Sequence, residues 1–357
     1  MTVSAAFAIP GDIETLTGGY IYERKLLLGL RALGHDVAHL ALAGTFPDPS
    51  QADMDDALAQ MAALPATQPL IVDGLVFGAA KGLEAIRAPM IAMIHHPLAL
   101  EEGLSAARKA HLARTERANV SLATHILVPS AHTREILIAD YGAEPGRITI
   151  APPGVDRPSA RHAPSAPPLI LSVGILHPRK GHDVLLDALA SLTDLSWRAV
   201  IVGSDYDTGH ATALRQRCAA LSLEDRVSFA GELPRAELDT LFAEATLFAL
   251  ATRYEGYGMV FAEALVRGLP IVATRAGAVP DTVPDGAGLL APIGDALAFA
   301  ACMRRVLEQA DLRRALARGS AESGAALPAW EETARIASGV IARVSRQMPP
   351  IDGGATM

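Results

Sequence analysis

The chain has 357 residues, half of them apolar, with a formal net charge of −8. That length exceeds what one hydrophobic core usually serves and predicts two domains of ordinary size. The acidic balance argues against nonspecific nucleic-acid binding, and Cys218 and Cys302 are too few for a disulfide framework and lack metal-ligand spacing.

Short β-type runs alternate with longer helical patterns almost throughout, which predicts parallel sheets flanked by helices. In the first half, strands are expected at Val3–Ile9, Val37–Leu42, Leu70–Val72, Met90–Ile94, His125–Val128 and Ile148–Ala151. Helices are expected from Tyr20 to Leu33 ahead of Gly34, from Glu101 to Leu122, and from Ala131 to Tyr141 ahead of Gly142. Pro152-Pro153-Gly154 and the prolines at 158, 164, 167 and 168 read as an interdomain linker. A second alternating series follows, with strands at Leu169–Val173, Arg198–Val202, Val227–Phe229, Leu247–Leu250 and Ile271–Ala273. From Ala296 to Arg346 the pattern is helical throughout, and Pro349 onward reads as frayed. The N-terminus lacks a signal-peptide layout, and no run reaches the ~18 apolar residues needed to span a bilayer. A cytoplasmic protein is expected, at most resting on the inner face of a membrane.

Two doubly wound domains place ligand sites at the carboxyl ends of their strands. The turn with most chemistry follows the apolar run Leu247–Ala251 and reads Glu255-Gly-Tyr-Gly-Met-Val-Phe-Ala-Glu263. Gly256 and Gly258 carry no Cβ, so a ligand can approach the backbone closely. If a helix begins near Gly256, its free N–H groups suit a phosphate, and Glu263 lies about two turns down, ~12 Å along the axis. Two carboxylates so spaced suit the two ends of a diphosphate-bridged ligand; two solvated surface glutamates are the plainer alternative.

A second turn, Gly174-Ile-Leu-His-Pro-Arg-Lys-Gly181, places Arg179 and Lys180 at a helix start, where the dipole disfavours cations. Such a pair is either solvated or a diphosphate clamp. Gly18-Gly19 precedes the first helix, and His95-His96 ends a strand. A cleft histidine bonding a substrate hydroxyl fits better than a metal site, because no other ligand has suitable spacing. Signatures of serine hydrolases, P-loop proteins, HExxH metalloproteases and nicotinamide dehydrogenases are lacking.

These residues resemble the retaining glycosyltransferases of family 4, which have the GT-B fold. The likeness runs through Gly18-Gly19, His95, Val128-Pro-Ser130, Ala151-Pro-Pro-Gly-Val-Asp156 and Pro178-Arg-Lys-Gly181. It continues through Gly231, Arg253-Tyr-Glu-Gly-Tyr-Gly258, Glu263-Ala264, Gly268-Leu-Pro270 and Asp285-Gly-Ala-Gly-Leu-Leu290. The resemblance implies an α/β chain of two Rossmann-like doubly wound parallel-sheet domains facing a cleft. Residues 1–153 would form the acceptor-side domain, joined by a crossing helix at about 331–346, and residues 154–330 the nucleotide-sugar domain.

By the same resemblance, Glu263 would bind the ribose hydroxyls and Glu255 the donor sugar. The amides near Gly258, Met259 and Val260 would meet the phosphates, and Lys180 would hold the diphosphate with Arg179 beside it; Gly174, Arg253, Gly256 and Tyr257 would belong to the same donor site. Gly231 and Leu233 would flank the base, while His95, Gly18 and Gly19 would approach from the other domain. Catalysis would rest on His95, Arg179, Lys180 and Glu255, with no metal and no cofactor. A hexosyl group would pass with retention from a UDP- or GDP-sugar to a hydroxyl of a glycan, lipid or small-molecule acceptor. A sugar-nucleotide 2-epimerase and a catalytically degenerate binding subunit are the alternatives. Two positions depart from the family pattern: Ile175 stands where many members carry Arg, and Asp281 where Glu is common. The basic run Arg108, Lys109, His111, Arg114 and Arg117 either rests on anionic headgroups or forms a solvated face diluted by Glu101, Glu102 and Glu116.

Overall fold

The computed structural model describes residues 2–158 and 163–347; four residues of the expected linker and the expected frayed end from Pro349 lie outside them. The chain divides into two compact units: Met1–Gly154 with the segment from Pro328 onward, and Val155–Leu327.

The first unit runs β1 (Ser4–Pro10), α1 (Gly18–Ala32), β2 (Asp36–Leu42), α2 (Gln51–Ala62), β3 (Leu70–Asp73), α3 (Gly74–Ala79), β4 (Met90–Met93), α4 (Ala106–Leu122), β5 (His125–Val128), α5 (Ala131–Tyr141) and β6 (Ile148–Ile150). The strands form one parallel sheet in the order β2-β1-β3-β4-β5-β6. Ala5 to Ile9, Leu70 to Val72 and Ile91 to Met93 are wholly buried, as expected of strands covered on both faces. α2, absent from the sequence reading, is opened by a capping box between Ser50 and Asp53. α4 begins at Ala106 and not at Glu101: Gly103 has φ +81°, outside helical space, and Ser105 caps the helix by accepting from the Arg108 amide.

The second unit continues with β7 (Leu169–Val173), α6 (His182–Ala190), β8 (Arg198–Val202), α7 (Thr208–Ala220), β9 (Val227–Gly231), α8 (Arg235–Glu244), β10 (Ala245–Leu250), α9 (Met259–Leu265), β11 (Ile271–Thr274), α10 (Val279–Thr282), β12 (Gly288–Ala291), α11 (Ala296–Glu308) and α12 (Ala310–Ala325). Its sheet is also parallel, in the order β12-β11-β10-β7-β8-β9. β12 escapes a periodicity reading because it is four residues long and begins on glycine. The expected continuous helical tail is broken at Gln309, and again by the Leu327-Pro328 step before α13 (Trp330–Arg346).

α13 returns to the first unit. Its buried residues Ala334, Ala337, Ile341 and Val344 follow helical spacing. At the closest point a Cβ on Gly29 of α1 would stand 2.7 Å from that of Ala334. Thr333 donates to the Pro152 carbonyl at 2.8 Å, and the rings of Trp330 and Tyr22 meet edge-on at 5.8 Å.

In each sheet the strand order reverses once: between β1 and β3 in the first, and between β7 and β10 in the second. Loops leaving the carboxyl ends of such strand pairs diverge and leave a crevice. Gly174, Arg179 and Lys180 follow β7, and Arg253, Glu255, Gly256, Tyr257 and Gly258 follow β10; Met259, Val260 and Glu263 lie in α9, Gly18 and Gly19 open α1, His95 follows β4, and Gly231 and Leu233 end and follow β9.

Candidate active site

In the second unit the crevice is built by the turn after β7 and the turn after β10. Pro178–Lys180 forms a single tight turn, and α6 starts only at His182. Arg179 and Lys180 therefore precede the helix instead of occupying its first turn. Gly181 makes this possible: its φ is +66°, and a Cβ there would lie 1.9 Å from the Ala251 carbonyl oxygen. The two turns are laced together where they touch. The Arg253 amide donates to the Arg179 carbonyl at 2.7 Å, and the Arg179 guanidinium donates to the Tyr254 carbonyl at 3.1 Å.

Two cations converge on Glu255. The Lys180 ammonium is 2.6 Å from its Oε1, and the Arg179 guanidinium is 3.6 Å from its Oε2. The Thr252 hydroxyl lies 3.1 Å from the same Oε1. Burial pushes the Glu255 carboxyl up, but the charges of Lys180 and then Arg179, with the hydrogen bonds of Lys180 and Thr252, bring it below the usual carboxylate range. From behind, Gly277 packs against the Glu255 backbone, and the Ala278 amide donates to its carbonyl at 2.9 Å.

Glu263 is set differently. α9 begins at Met259, because Gly258 at φ +87° serves as its N-cap. The expectation of a helix from Gly256 is thereby corrected: Glu255 stands in the turn before the helix, and Glu263 is the fifth helical residue. Burial pushes the Glu263 carboxyl up, against the charges of Arg235 at 3.2 Å and Arg267 at 4.0 Å. Met259 and Val260 supply the first helical amides, which have no intrahelical acceptor. Tyr257 is fixed through its carbonyl, which accepts from Thr282 at 2.5 Å.

Other residues take more local parts. Arg253 holds Asp183 with both guanidinium nitrogens, at 2.9 and 2.6 Å, and donates to the Pro178 carbonyl at 2.5 Å, so it braces one turn against the other. Gly174 follows β7, and a Cβ there would touch the Lys180 side chain at 3.3 Å. Gly231 ends β9 at φ +68° with open space where its Cβ would be, and Leu233 packs on the nearby core. Ile175 offers its carbonyl to the His177 amide, while Asp281 is exposed in α10.

The first unit holds a separate polar cluster. Gly18 and Gly19 open α1, and a Cβ on Gly19 would lie 3.6 Å from the His95 ring. His95 Nε2 faces Glu23 Oε1 at 3.5 Å, whereas His96 is engaged by Glu101 at 3.1 Å. Glu23 and Asp73 escape the sequence reading, and the fold brings both to His95: one ligand atom from each of the three lies within 4.8 Å of the others. The available signals were a carboxylate on the buried stripe of α1, beside Tyr22, Leu26 and Leu30, and an acid ending a strand. Burial pushes Glu23 up to about 7 and raises Asp73 well above its usual range, and it lowers His95.

The basic run on α4 is partly committed. Arg108 pairs with Asp48 at 2.5 Å, and Arg117 donates to the Asp140 carbonyl at 2.9 and 2.6 Å. Glu116, counted in sequence as diluting this face, is fully buried instead, with its carboxylate accepting from the Leu98 amide at 3.1 Å. No helix among the described residues is long and apolar enough to cross a membrane.

Comparison with known proteins decides the family. Residues 157–322 match the family model described as glycosyl transferases group 1, and residues 68–157 match that of glycosyltransferase family 4. The chain belongs to glycosyltransferase family 4. Among curated family relatives, a D-inositol 3-phosphate glycosyltransferase of a Nocardioides species is 36% identical over 225 residues, 56% of this chain and 49% of the relative. The chain spans about half the length of the curated relatives it matches. The GT-B fold of family 4 is shared with the sucrose-phosphate synthase of Thermosynechococcus elongatus, at a TM-score of 0.83 and 21% identity over 97% of this chain and all of that one. It is also shared with Anabaena Alr3699/HepE, solved in complex with UDP-glucose, at a TM-score of 0.76 and 19% identity over 95% of this chain and 99% of the other.

Proposed function

We propose that the second unit binds a nucleoside diphosphate sugar and that the protein transfers its hexosyl group, with retention and without a metal, to a hydroxyl of a glycan, lipid or small-molecule acceptor. The observation that carries this reading is the convergence of Lys180 and Arg179 on a buried Glu255 at the strand-order reversal of the second sheet. The diphosphate lies against Lys180, Arg179 and the first amides of α9, where positive charge and aimed N–H groups stabilise the departing phosphate. Glu255, kept ionised by the same cations, accepts from a sugar hydroxyl and sets the distance between sugar and cations. Glu263 takes the ribose hydroxyls, and Gly231 leaves room beside Leu233 for the base. His95, in the first unit, offers a ring nitrogen to a ligand hydroxyl there. The UDP-glucose bound by Alr3699/HepE supports a UDP-sugar among the donors, and the likeness to D-inositol 3-phosphate glycosyltransferases supports a small phosphorylated polyol among the acceptors.

A thermal-shift panel of UDP-, GDP- and ADP-sugars tests donor binding, because a ligand at 100 times its Kd stabilises the folded state by about 2.7 kcal/mol. Donor consumption with and without acceptor then separates transfer from 2-epimerisation, and stabilisation without consumption marks a binding subunit. Peripheral membrane contact through Lys109, His111 and Arg114 belongs to the same proposal. Cosedimentation with vesicles containing anionic lipid at low salt checks it, and no pelleting rejects it.

A further inference from the structure

Glu23 on α1, Asp73 at the end of β3 and His95 after β4 come from three elements and meet in the interior of the first unit. Glu23 and Asp73 are 1% and 3% exposed. One oxygen of each lies within 4.8 Å of the other, and burial pushes both carboxyls up, so two such buried acids this close keep a proton between them. Asp73 is fixed from the other side, since one of its oxygens accepts from the Leu75 amide at 2.8 Å. Glu23 Oε1 and His95 Nε2 are both sealed from solvent, both lack another hydrogen-bond partner, and stand 3.5 Å apart. The His95 side chain is nonetheless 23% exposed, so its accessible part consists of ring atoms other than Nε2.

We propose that Glu23 and Asp73 are positioning residues for His95: the two carboxyls share one proton, and the remaining Glu23 oxygen accepts Nε2–H of the imidazole, so the ring meets its ligand with an unprotonated Nδ1. A neutral ring is what its burial favours. Nδ1 then accepts from a ligand hydroxyl, and a sugar or polyol lacking that donor is discriminated against. Gly19 keeps the first turn of α1 against the ring, holding the geometry from above. Tyr22, the neighbouring titratable group on α1, stays neutral through burial, so the groups that titrate together are Glu23, Asp73 and His95. The hydroxyl ligand rests on the functional reading above; the tautomer and the shared proton do not.

The test is nitrogen NMR of protein labelled at histidine, without donor, with His95→Gln used to assign the His95 signals. The wild type should show the Nε2–H tautomer and a step near pH 7 as Glu23 ionises and the pair passes from two protons to the single shared one. Glu23→Gln keeps an acceptor oxygen, so it should retain the tautomer and lose the step. Glu23→Leu should collapse the tautomer preference to a mixture, and should it fail to fold, the Glu23→Gln titration still decides. In transfer assays the pH profile should lose its break near 7 in Glu23→Gln. An Nδ1–H tautomer in the wild type, an unaltered His95 in Glu23→Leu, or a stoichiometric chelatable divalent ion lost in Glu23→Gln would each overturn the proposal. Loss of donor stabilisation in Lys180→Ala with an intact His95 titration, or the converse, separates the two readings.

Discussion

The Lys180 ammonium lies 2.6 Å from Oε1 of Glu255, a residue 75 positions further along the chain, and both side chains are largely withdrawn from solvent. Breaking such a pair from one side leaves a buried charge and typically costs 3–5 kcal/mol. Lys180→Ala should therefore lower stability by about 3 kcal/mol while the protein still folds, and reduce transfer by at least ~10²-fold. Lys180→Met combined with Glu255→Gln should regain most of the stability and none of the activity. Chemical denaturation and donor turnover on the wild type, Lys180→Ala and the double variant check this; recovery of turnover in the double variant would reject the clamp.

The depressed Glu255 carboxyl sets the sign of an acid effect. Its contribution to stability is present above the unfolded carboxyl range, near 4.3, and is lost as pH falls through the folded value. Melting curves from pH 6 down to 3 should show a loss that Glu255→Gln lacks.

Glu116 acts in the opposite direction. Burial pushes its carboxyl up to about 8, with the Leu98 amide and Tyr141 opposing. The native state then holds more protons than the unfolded chain between roughly pH 4.3 and 8, so this residue lowers stability as pH rises through that window. Glu116→Gln should exceed the wild type by about 5 kcal/mol at pH 9, at 1.36 kcal/mol per pKa unit, and match it at pH 4. Equal denaturation midpoints at pH 9 would refute the assignment.

Glu263→Gln should weaken donor binding by about 10- to 100-fold, the range for hydrogen bonds to a charged group, without disturbing the fold. Calorimetric titration with a UDP-sugar measures it, and an unchanged Kd would remove Glu263 from the ribose position.

Two glycines with nearly the same φ give a controlled contrast. A Cβ on Gly181 would run into the Ala251 carbonyl at 1.9 Å, whereas one on Gly231 meets nothing within 4 Å. Gly231→Ala should cost about 1 kcal/mol from backbone strain alone. Gly181→Ala should cost at least ~3 kcal/mol or prevent folding, because carbonyl and chain must both move. Thermal melts of the pair provide the comparison.

Strands such as His125–Val128, Leu169–Val173 and Arg198–Val202 are readable to the residue because each carries a largely apolar run that stops at proline or glycine, namely Pro129, Gly174 and Gly203. Helix starts at Ala106 and Met259 are not, since Gly103 and Gly258 adopt left-handed conformations that composition does not reveal. Within the site, sequence places Lys180 and Glu255 on two turns but says nothing of their pairing, which depends on β7 and β10 being neighbours. Arg253 could not be separated from the ligand-facing residues, because its partner Asp183 is 70 positions away. Glu23 and Asp73 are invisible to spacing for the same reason: strand order, not local pattern, brings them to His95.

The docking of α13 on α1 has a consequence for biogenesis. Every element of the second unit leaves the ribosome before Trp330, so that unit is able to close while α1 still lacks the helix that covers Gly29 and Tyr22. The portion of the chain synthesised first is thus the one finished last. A nascent chain arrested near Leu327 should carry a protease-resistant later half and an earlier half that binds chaperones until α13 emerges.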